Sequence, residues 1–250
     1  MQDKLKLALD IGEEMLSSGA EVHRVEDSLN RILSAFGAKR ADVFIITTSM
    51  IVSITTSAGE VITQTRRIGP SGMDFDKLHK LNALSRRICG EQITCEEIKR
   101  ELDAIKPSKT YPLWVEFICY AVIAGAFTMF FGGNWAQAIV SLVIGIGIRV
   151  VLLIFDKTVK NRIFSKFIAS FLATALAYIS VKLGLAPGPD EIIIGNIMVL
   201  IPGIGLTNSL RDVFTGDSIT GLLRFIEALL IALAIAAGFF VYVVIFGGAA

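Results

Sequence analysis

Residues 135–155 read WAQAIVSLVIGIGIRVVLLIF, an apolar run interrupted by a single charge, Arg149. A helix rises about 1.5 Å per residue, so about 20 such residues cross the roughly 30 Å hydrocarbon core of a bilayer. Four more stretches qualify or nearly do: 113–132, 164–185, 192–210 and 219–247. Lipid satisfies no backbone N–H or C=O, so stretches of this kind are confined to helices that satisfy themselves. The C-terminal half is therefore expected to be an all-α membrane domain of five transmembrane helices.

The apolarity is unevenly spread. The chain is 53% hydrophobic, yet residues 1–112 hold 16 of its 24 Lys+Arg and 16 of its 23 Asp+Glu. The change of composition falls at Lys106-Pro107-Ser108-Lys109-Thr110-Tyr111-Pro112. This pattern predicts a soluble domain over 1–106, a linker over 107–112 and the membrane domain over 113–250. Within the first, helical periodicity runs over 4–18 and 22–36, with Gly19 and Gly37 as stops. β-branched runs follow at 43–46, 50–56 and 60–68, with a turn at Ala58-Gly59. Two more helices are expected over 74–89 and from Thr94 to Ile105, the latter opened by Thr94 and Glu97 at capping-box spacing. The expected fold is an α+β domain of order αα-βββ-αα.

Loop charge suggests the orientation. The basic loop Asp156–Arg162 with Lys166, and the loop carrying Arg211, fall on the side of the N-terminal domain, while the loop 186–191 is acidic. Positive charge stays inside, so the N-terminus is expected in the cytoplasm and the C-terminus outside, in the cytoplasmic (inner) membrane. Lys182 runs against the trend and would snorkel. Five spans are an odd number, and an odd unit can pair with a second one inserted upside down. Residues 113–250 contain no internal repeat, so a second half would have to come from another chain.

The fourth stretch breaks its own helix. In 198–212, MVLIPGIGLTNSLRD, Pro202 removes a backbone donor and Gly203 frees the chain. Backbone opened at membrane depth is tolerated where it faces protein or a watery cavity, as in the discontinuous helices of transporters. Asn196, Thr207 and Asn208 supply neutral hydrogen-bonding groups beside the break. Arg211 has the planar fork that grips a carboxylate. Glu227, about nine residues into the fifth stretch, costs about 2.5–3.5 kcal/mol if buried alone in lipid. It is the first candidate for a proton-coupled group, with Asp212 the second; a structural ion pair of Glu227 with Arg224, three residues earlier, or with Arg211 is the competing role. Arg149, Arg224 and Glu116 are secondary candidates, with interfacial positions as the alternative for Arg149 and Glu116.

In the soluble half, Glu21, His23, Arg24 and Glu26 are the residues a hydrolytic centre would use, but no serine elbow, phosphate loop or metal spacing accompanies them. Arg66, Arg67, Lys77, His79, Lys80, Arg86 and Arg87 form either a solvated face or one directed at lipid headgroups or an anionic ligand. Cys89, Cys95 and Cys119 have no metal spacing, so neither metal nor cofactor is expected, and the near-neutral charge argues against nucleic acid.

Three separated blocks, SSGAEVHRVEDSLNRILSAFG at 17–37, RRIGPSGMDFDKLHKLNALSRRI at 66–88 and GNIMVLIPGIGLTNSLRDVFTGDSITGLLRFIEALL at 195–230, resemble the threonine/serine exporter (ThrE-like) family. The resemblance implies a secondary exporter of small amino acids or, in some members, dicarboxylates such as succinate. It also implies that long members carry a second, smaller membrane domain, so this chain resembles the larger subunit of the split, two-component type, an oligomer with a smaller five-span subunit. In that reading Arg211 or the helix end at Pro202-Gly203 receives the substrate carboxylate, Asn196, Thr207 and Asn208 orient it, and Glu227 or Asp212 handles the proton. A membrane-anchored ligand sensor without transport is the alternative.

Overall fold

A computed structural model describes residues 1–69, 72–91, 93–107, 111–159 and 161–246. Residues 108–110 of the expected linker, Pro70 and Ser71 of the second block, Lys160 of the basic loop and residue 247 of the fifth stretch lie outside the described residues. The chain forms two compact units: Met1–Lys109 with Thr207–Arg224, and Thr110–Leu206 with Phe225–Ala250.

The first unit begins with α1 (Gln2–Ser17) and α2 (Val22–Ala35), followed by β1 (Arg40–Ile46), β2 (Ser49–Thr55) and β3 (Val61–Arg67), then α3 (Phe75–Gly90) and α4 (Cys95–Ile105). The strands form one antiparallel sheet in the order β1-β2-β3. Period-two alternation sends Ile45, Met50, Val52 and Ile54 into the core and leaves Phe44 and Ile51, a directly opposed pair, exposed on the other face. Leu5, Leu9 and Ile11 of α1, Leu29 and Ile32 of α2, Leu81 and Leu84 of α3, and Ile98 of α4 complete this core.

β1 starts three residues before the expected 43. Arg40 pairs with Thr55 in the ladder, and its guanidinium holds Asp42 at 3.0 Å on the exposed side, so charge hides a strand that backbone pairing extends. Asp74 caps α3 by accepting from the Lys77 N–H at 2.9 Å. Thr94 accepts from the Glu97 N–H at 3.3 Å; the reciprocal half of the expected capping box is absent among the described residues.

The second unit contains α5 (Leu113–Phe130), α6 (Trp135–Thr158), α7 (Arg162–Lys182), α8 (Asp190–Met198) and most of α10 (Ser218–Phe246). α9 (Gly203–Phe214) follows α8 after a four-residue break. Among the described residues, helices α5, α6, α7 and α10 are each long and apolar enough to cross a membrane; α8 and α9, bent by 54° at the break, bring the number to five if the pair is one span.

The helices of the second unit meet through matched rows four residues apart: Ile144, Ile148 and Leu152 on α6, and Ala169, Ala173 and Ala177 on α7, all buried. In lipid the hydrophobic effect contributes little between helices, so close backbone approach and hydrogen bonds must hold them. Gly145 supplies one such approach, because a Cβ there would stand 2.6 Å from the Tyr120 carbonyl oxygen of α5. Gly195 supplies another, because its Cβ would meet the Thr128 backbone nitrogen at 2.6 Å and the Ala124 oxygen at 2.9 Å. α6 is opened by a full capping box, Asn134 with Gln137, at 3.0 and 2.9 Å.

Candidate functional site

The membrane-type unit buries a small set of polar groups. Thr128 of α5 donates to the Ala124 carbonyl at 3.0 Å and stands 2.6 Å from the Ser141 hydroxyl of α6; both residues are fully buried. On α8, Asn196 is also fully buried, and its Nδ2 donates to the Ile192 carbonyl at 2.9 Å. That bond fixes which end of the amide is the oxygen, since a flipped amide would oppose two acceptors. The Asn196 Oδ1 is then a buried acceptor with no hydrogen-bond partner among the described residues. Buried acceptors are almost always satisfied, and an unsatisfied one costs about 1–3 kcal/mol.

Two charged arrangements flank this core. At the start of α6, Gln137 Nε2 donates to the Glu191 carboxylate at 2.6 Å and to the Gly188 carbonyl at 3.1 Å. Toward the other end, the Arg149 guanidinium grips the Glu116 carboxylate through Nε at 2.8 Å and through Nη2, and lies over the Tyr120 ring at 5.5 Å. These three residues, with Tyr111, Val115 and Cys119, line a cleft of about 470 Å³. The two secondary candidates on α5 and α6 are thus one ion pair, which offsets the cost of a half-buried guanidinium.

In the first unit, residues 207–224 carry a second charged cluster. A tight turn with Gly216 at φ +102° reverses the chain after α9. Gly221 then lies so close to α9 that a Cβ would meet the Val213 N at 2.7 Å and the Ser209 O at 2.8 Å. The hairpin brings Arg224 Nη1 to Asp212 Oδ2 at 2.7 Å, with the aspartate side chain 1% exposed and the arginine 20%. Arg224 also reaches the Ala20 carbonyl at 3.5 Å. Arg211 Nη1 meets Glu21 Oε1 at 2.9 Å. Asp217 Oδ2 is buried without a hydrogen-bond partner among the described residues. Burial pushes the nearby Glu26 carboxyl up from its ordinary 4.5, and the Asp217 charge pushes the same way; the Ile45 N–H at 3.1 Å and His23 pull it down.

The pairing of Arg224 with Glu227 weighed from their spacing does not form. Arg224 goes to Asp212 across the hairpin, and Glu227 is exposed with no ion pair or hydrogen bond among the described residues. Arg211, the candidate for a ligand carboxylate, is paired with Glu21 in this structure. Thr207 and Asn208 lie on α9 of the first unit, Pro202 lies in the break, and Gly203 opens α9. Sequence reasoning missed Thr128, Ser141, Gln137 and Asp217. The only available signal was polarity inside apolar runs, which a serine or threonine back-bonded to its own helix also gives. No group of three or more His, Cys, Asp or Glu is placed to hold a metal among the described residues.

An α+β unit joined to four or five apolar helices whose interior holds buried amide, hydroxyl and ion-paired groups defines a multi-pass membrane protein. The chain belongs to the ThrE family, whose model, described as "Putative threonine/serine exporter", matches residues 6–246; the resemblance drawn from the three sequence blocks is borne out. It is 27% identical over 94% of its length to the "Threonine/serine exporter" of Corynebacterium glutamicum, covering 49% of that protein. It is 26% identical over 94% of its length to the "Probable threonine/serine exporter" of Mycobacterium tuberculosis, covering 44%. The chain thus spans about half the length of these two relatives. It is 24% identical over 93% of its length to the "Probable succinate transporter subunit YjjP" of Klebsiella aerogenes, of which it covers 90%. No solved structure matches the chain.

Proposed function

We propose that the chain is the larger subunit of a secondary exporter for a small carboxylate-bearing metabolite, working by alternating access with a smaller five-span subunit. The proposed topology has α8 and α9 as one broken span, the N-terminus in the cytoplasm and the C-terminus outside. The likeness to a protein named as a transporter subunit supports the subunit reading. Glu227 supports it independently. Its carboxylate lies among exposed Leu223, Ile226 and Leu230 on α10, a face too costly to leave bare to lipid and suited to cover by a partner, with Glu227 as the proton-linked group.

The observation that carries the substrate class is the Asn196 oxygen. An unpartnered carbonyl oxygen accepts hydrogen bonds, so it fits the ammonium or hydroxyl of a threonine- or serine-like amino acid better than a succinate, which offers no donor when ionised. Asn196 and the nearby opening of α9 at Gly203 would hold the substrate, with the helix N-terminus toward its carboxylate. The proposed roles of Arg211 and Asp212 become structural, since both are engaged in ion pairs.

Counterflow in proteoliposomes tests this. Labelled threonine, serine and succinate are offered to the chain alone and with a co-expressed small five-span protein, in wild type, Asn196→Leu and Glu227→Gln. Flux of threonine or serine that needs the partner and is lost in both variants is expected. Flux preserved in Asn196→Leu, or succinate flux alone, would overturn the assignment.

A further inference from the structure

The groove between α2 and α3 is bordered by two matched polar stripes. Arg24, Asp27, Ser28 and Arg31 follow i, i+3, i+4, i+7 spacing on α2, and Asn82, Ser85, Arg86 and Cys89 do so on α3. They line a cleft of about 460 Å³, a size typical of small-molecule sites. Apolar contact beneath it, by Val25 and Leu29 on α2 and Leu81 and Leu84 on α3, holds the two stripes in place.

Its charge is one-sided. Three guanidinium groups meet one carboxylate, and that carboxylate is already engaged: Arg31 Nε donates to Asp27 at 3.1 Å. Arg24 and Arg86 make no ion pair among the described residues. Ser85 is only 7% exposed, yet its hydroxyl makes no hydrogen bond among the described residues, and neither does the Asn82 side chain. A serine hydroxyl on a helix often bonds back to its own backbone, as Ser28 does to the Arg24 carbonyl at 2.8 Å; the Ser85 hydroxyl stays open to the cleft. Here two unpaired cations and two unspent neutral donors line one cleft, with no unspent acceptor of matching charge.

We propose that this cleft is a binding site for a small dianionic oxyanion, a phosphate-bearing metabolite held by Arg24 and Arg86 with Ser85 and Asn82 as neutral donors. A phosphomonoester carries close to two negative charges at neutral pH and three acceptor oxygens. Guanidinium forks match that geometry. The lining holds no aromatic side chain other than His23, so a nucleotide base would gain little stacking and a compact ligand is favoured. Burial pushes the Cys89 thiol above its ordinary value and the Asp27 charge pushes the same way, with Arg31 pulling down, a setting that does not favour a reactive thiolate.

The test is calorimetric titration of inorganic phosphate into the full chain in nanodiscs of zwitterionic lipid, at constant ionic strength held with chloride. Arg24→Gln and Arg86→Gln are each expected to weaken binding by about tenfold or more, the loss of one charge-assisted contact. Arg100→Gln removes an equal charge from α4 and is expected to leave affinity unchanged. Equal weakening by Arg100→Gln would reduce the effect to general charge and overturn the site. Absence of phosphate binding at millimolar concentration would overturn it too. So would binding seen only as association of the protein with vesicles containing phosphatidic acid, which would assign the arginines to a lipid headgroup.

Discussion

Replacing Arg224 by Met keeps an unbranched, flexible stem and removes the guanidinium. The Asp212 carboxylate, 1% exposed, then stands without its counter-charge. Breaking a buried pair from one side costs about 3–5 kcal/mol, because the charge left behind is desolvated and uncompensated. Adding Asp212→Asn removes that charge and leaves a neutral buried amide, whose unmet bonds cost about 1–3 kcal/mol. The double variant should therefore recover about 2 kcal/mol despite carrying more changes, a coupling that a mutant cycle isolates. Amide hydrogen exchange of the full chain in nanodiscs reads the effect locally. At about 1.4 kcal/mol per tenfold, α9 and the first turns of α10 should exchange roughly a hundredfold to a few thousandfold faster in Arg224→Met. The double variant should be slower than Arg224→Met. Wild-type protection in Arg224→Met, or no recovery in the double variant, would refute the view that this pair pins the 207–224 hairpin.

Gly195→Val places a side chain against the Thr128 nitrogen and the Ala124 oxygen, backbone atoms that cannot yield; overpacking of about 1–3 kcal/mol should lower the thermal midpoint in nanodiscs, and an unchanged midpoint would contradict the close α5–α8 crossing. Leu29→Ala empties a fully buried position and should destabilise the first unit by about 2–5 kcal/mol, seen as loss of exchange protection in α2 and β2. Glu26→Gln keeps the acceptor for the Ile45 N–H but removes a carboxyl whose folded value is raised. A raised carboxyl favours the fold below its ordinary 4.5, and that contribution is lost as pH rises through the folded value. The variant should therefore be more stable than wild type at neutral pH and lose that advantage in acid; melting curves across pH would show the reverse order if burial did not dominate. Thr128→Val removes the bond to Ser141 at 2.6 Å, and the average interhelical bond in lipid is worth about 0.6 kcal/mol, so a drop of several kcal/mol would mean that the pair also organises Asn196.

Much of the local structure was legible before any coordinates. The apolar runs at 113–132, 135–155 and 164–185 needed only length and hydropathy. Helix and strand in the first unit followed from periodicities of 3.6 and 2, which are properties of neighbouring residues. The three family blocks are also local strings. Pairing is not local. Arg224 could be placed opposite Glu227 by spacing alone, because both lie on one helix face; that Asp212 wins depends on a reversal at Gly216 and on Gly221 letting α10 close on α9. The same holds for Asn196, whose missing partner emerges only when α8 packs against α5, and for Arg40, whose strand state depends on Thr55 across the ladder. The sequence by itself determined which segments are helical, extended or apolar enough for a membrane. Tertiary structure alone decided which buried charges are neutralised and which acceptor is left over, because desolvation and pairing are set by what distant segments bring within about 3 Å.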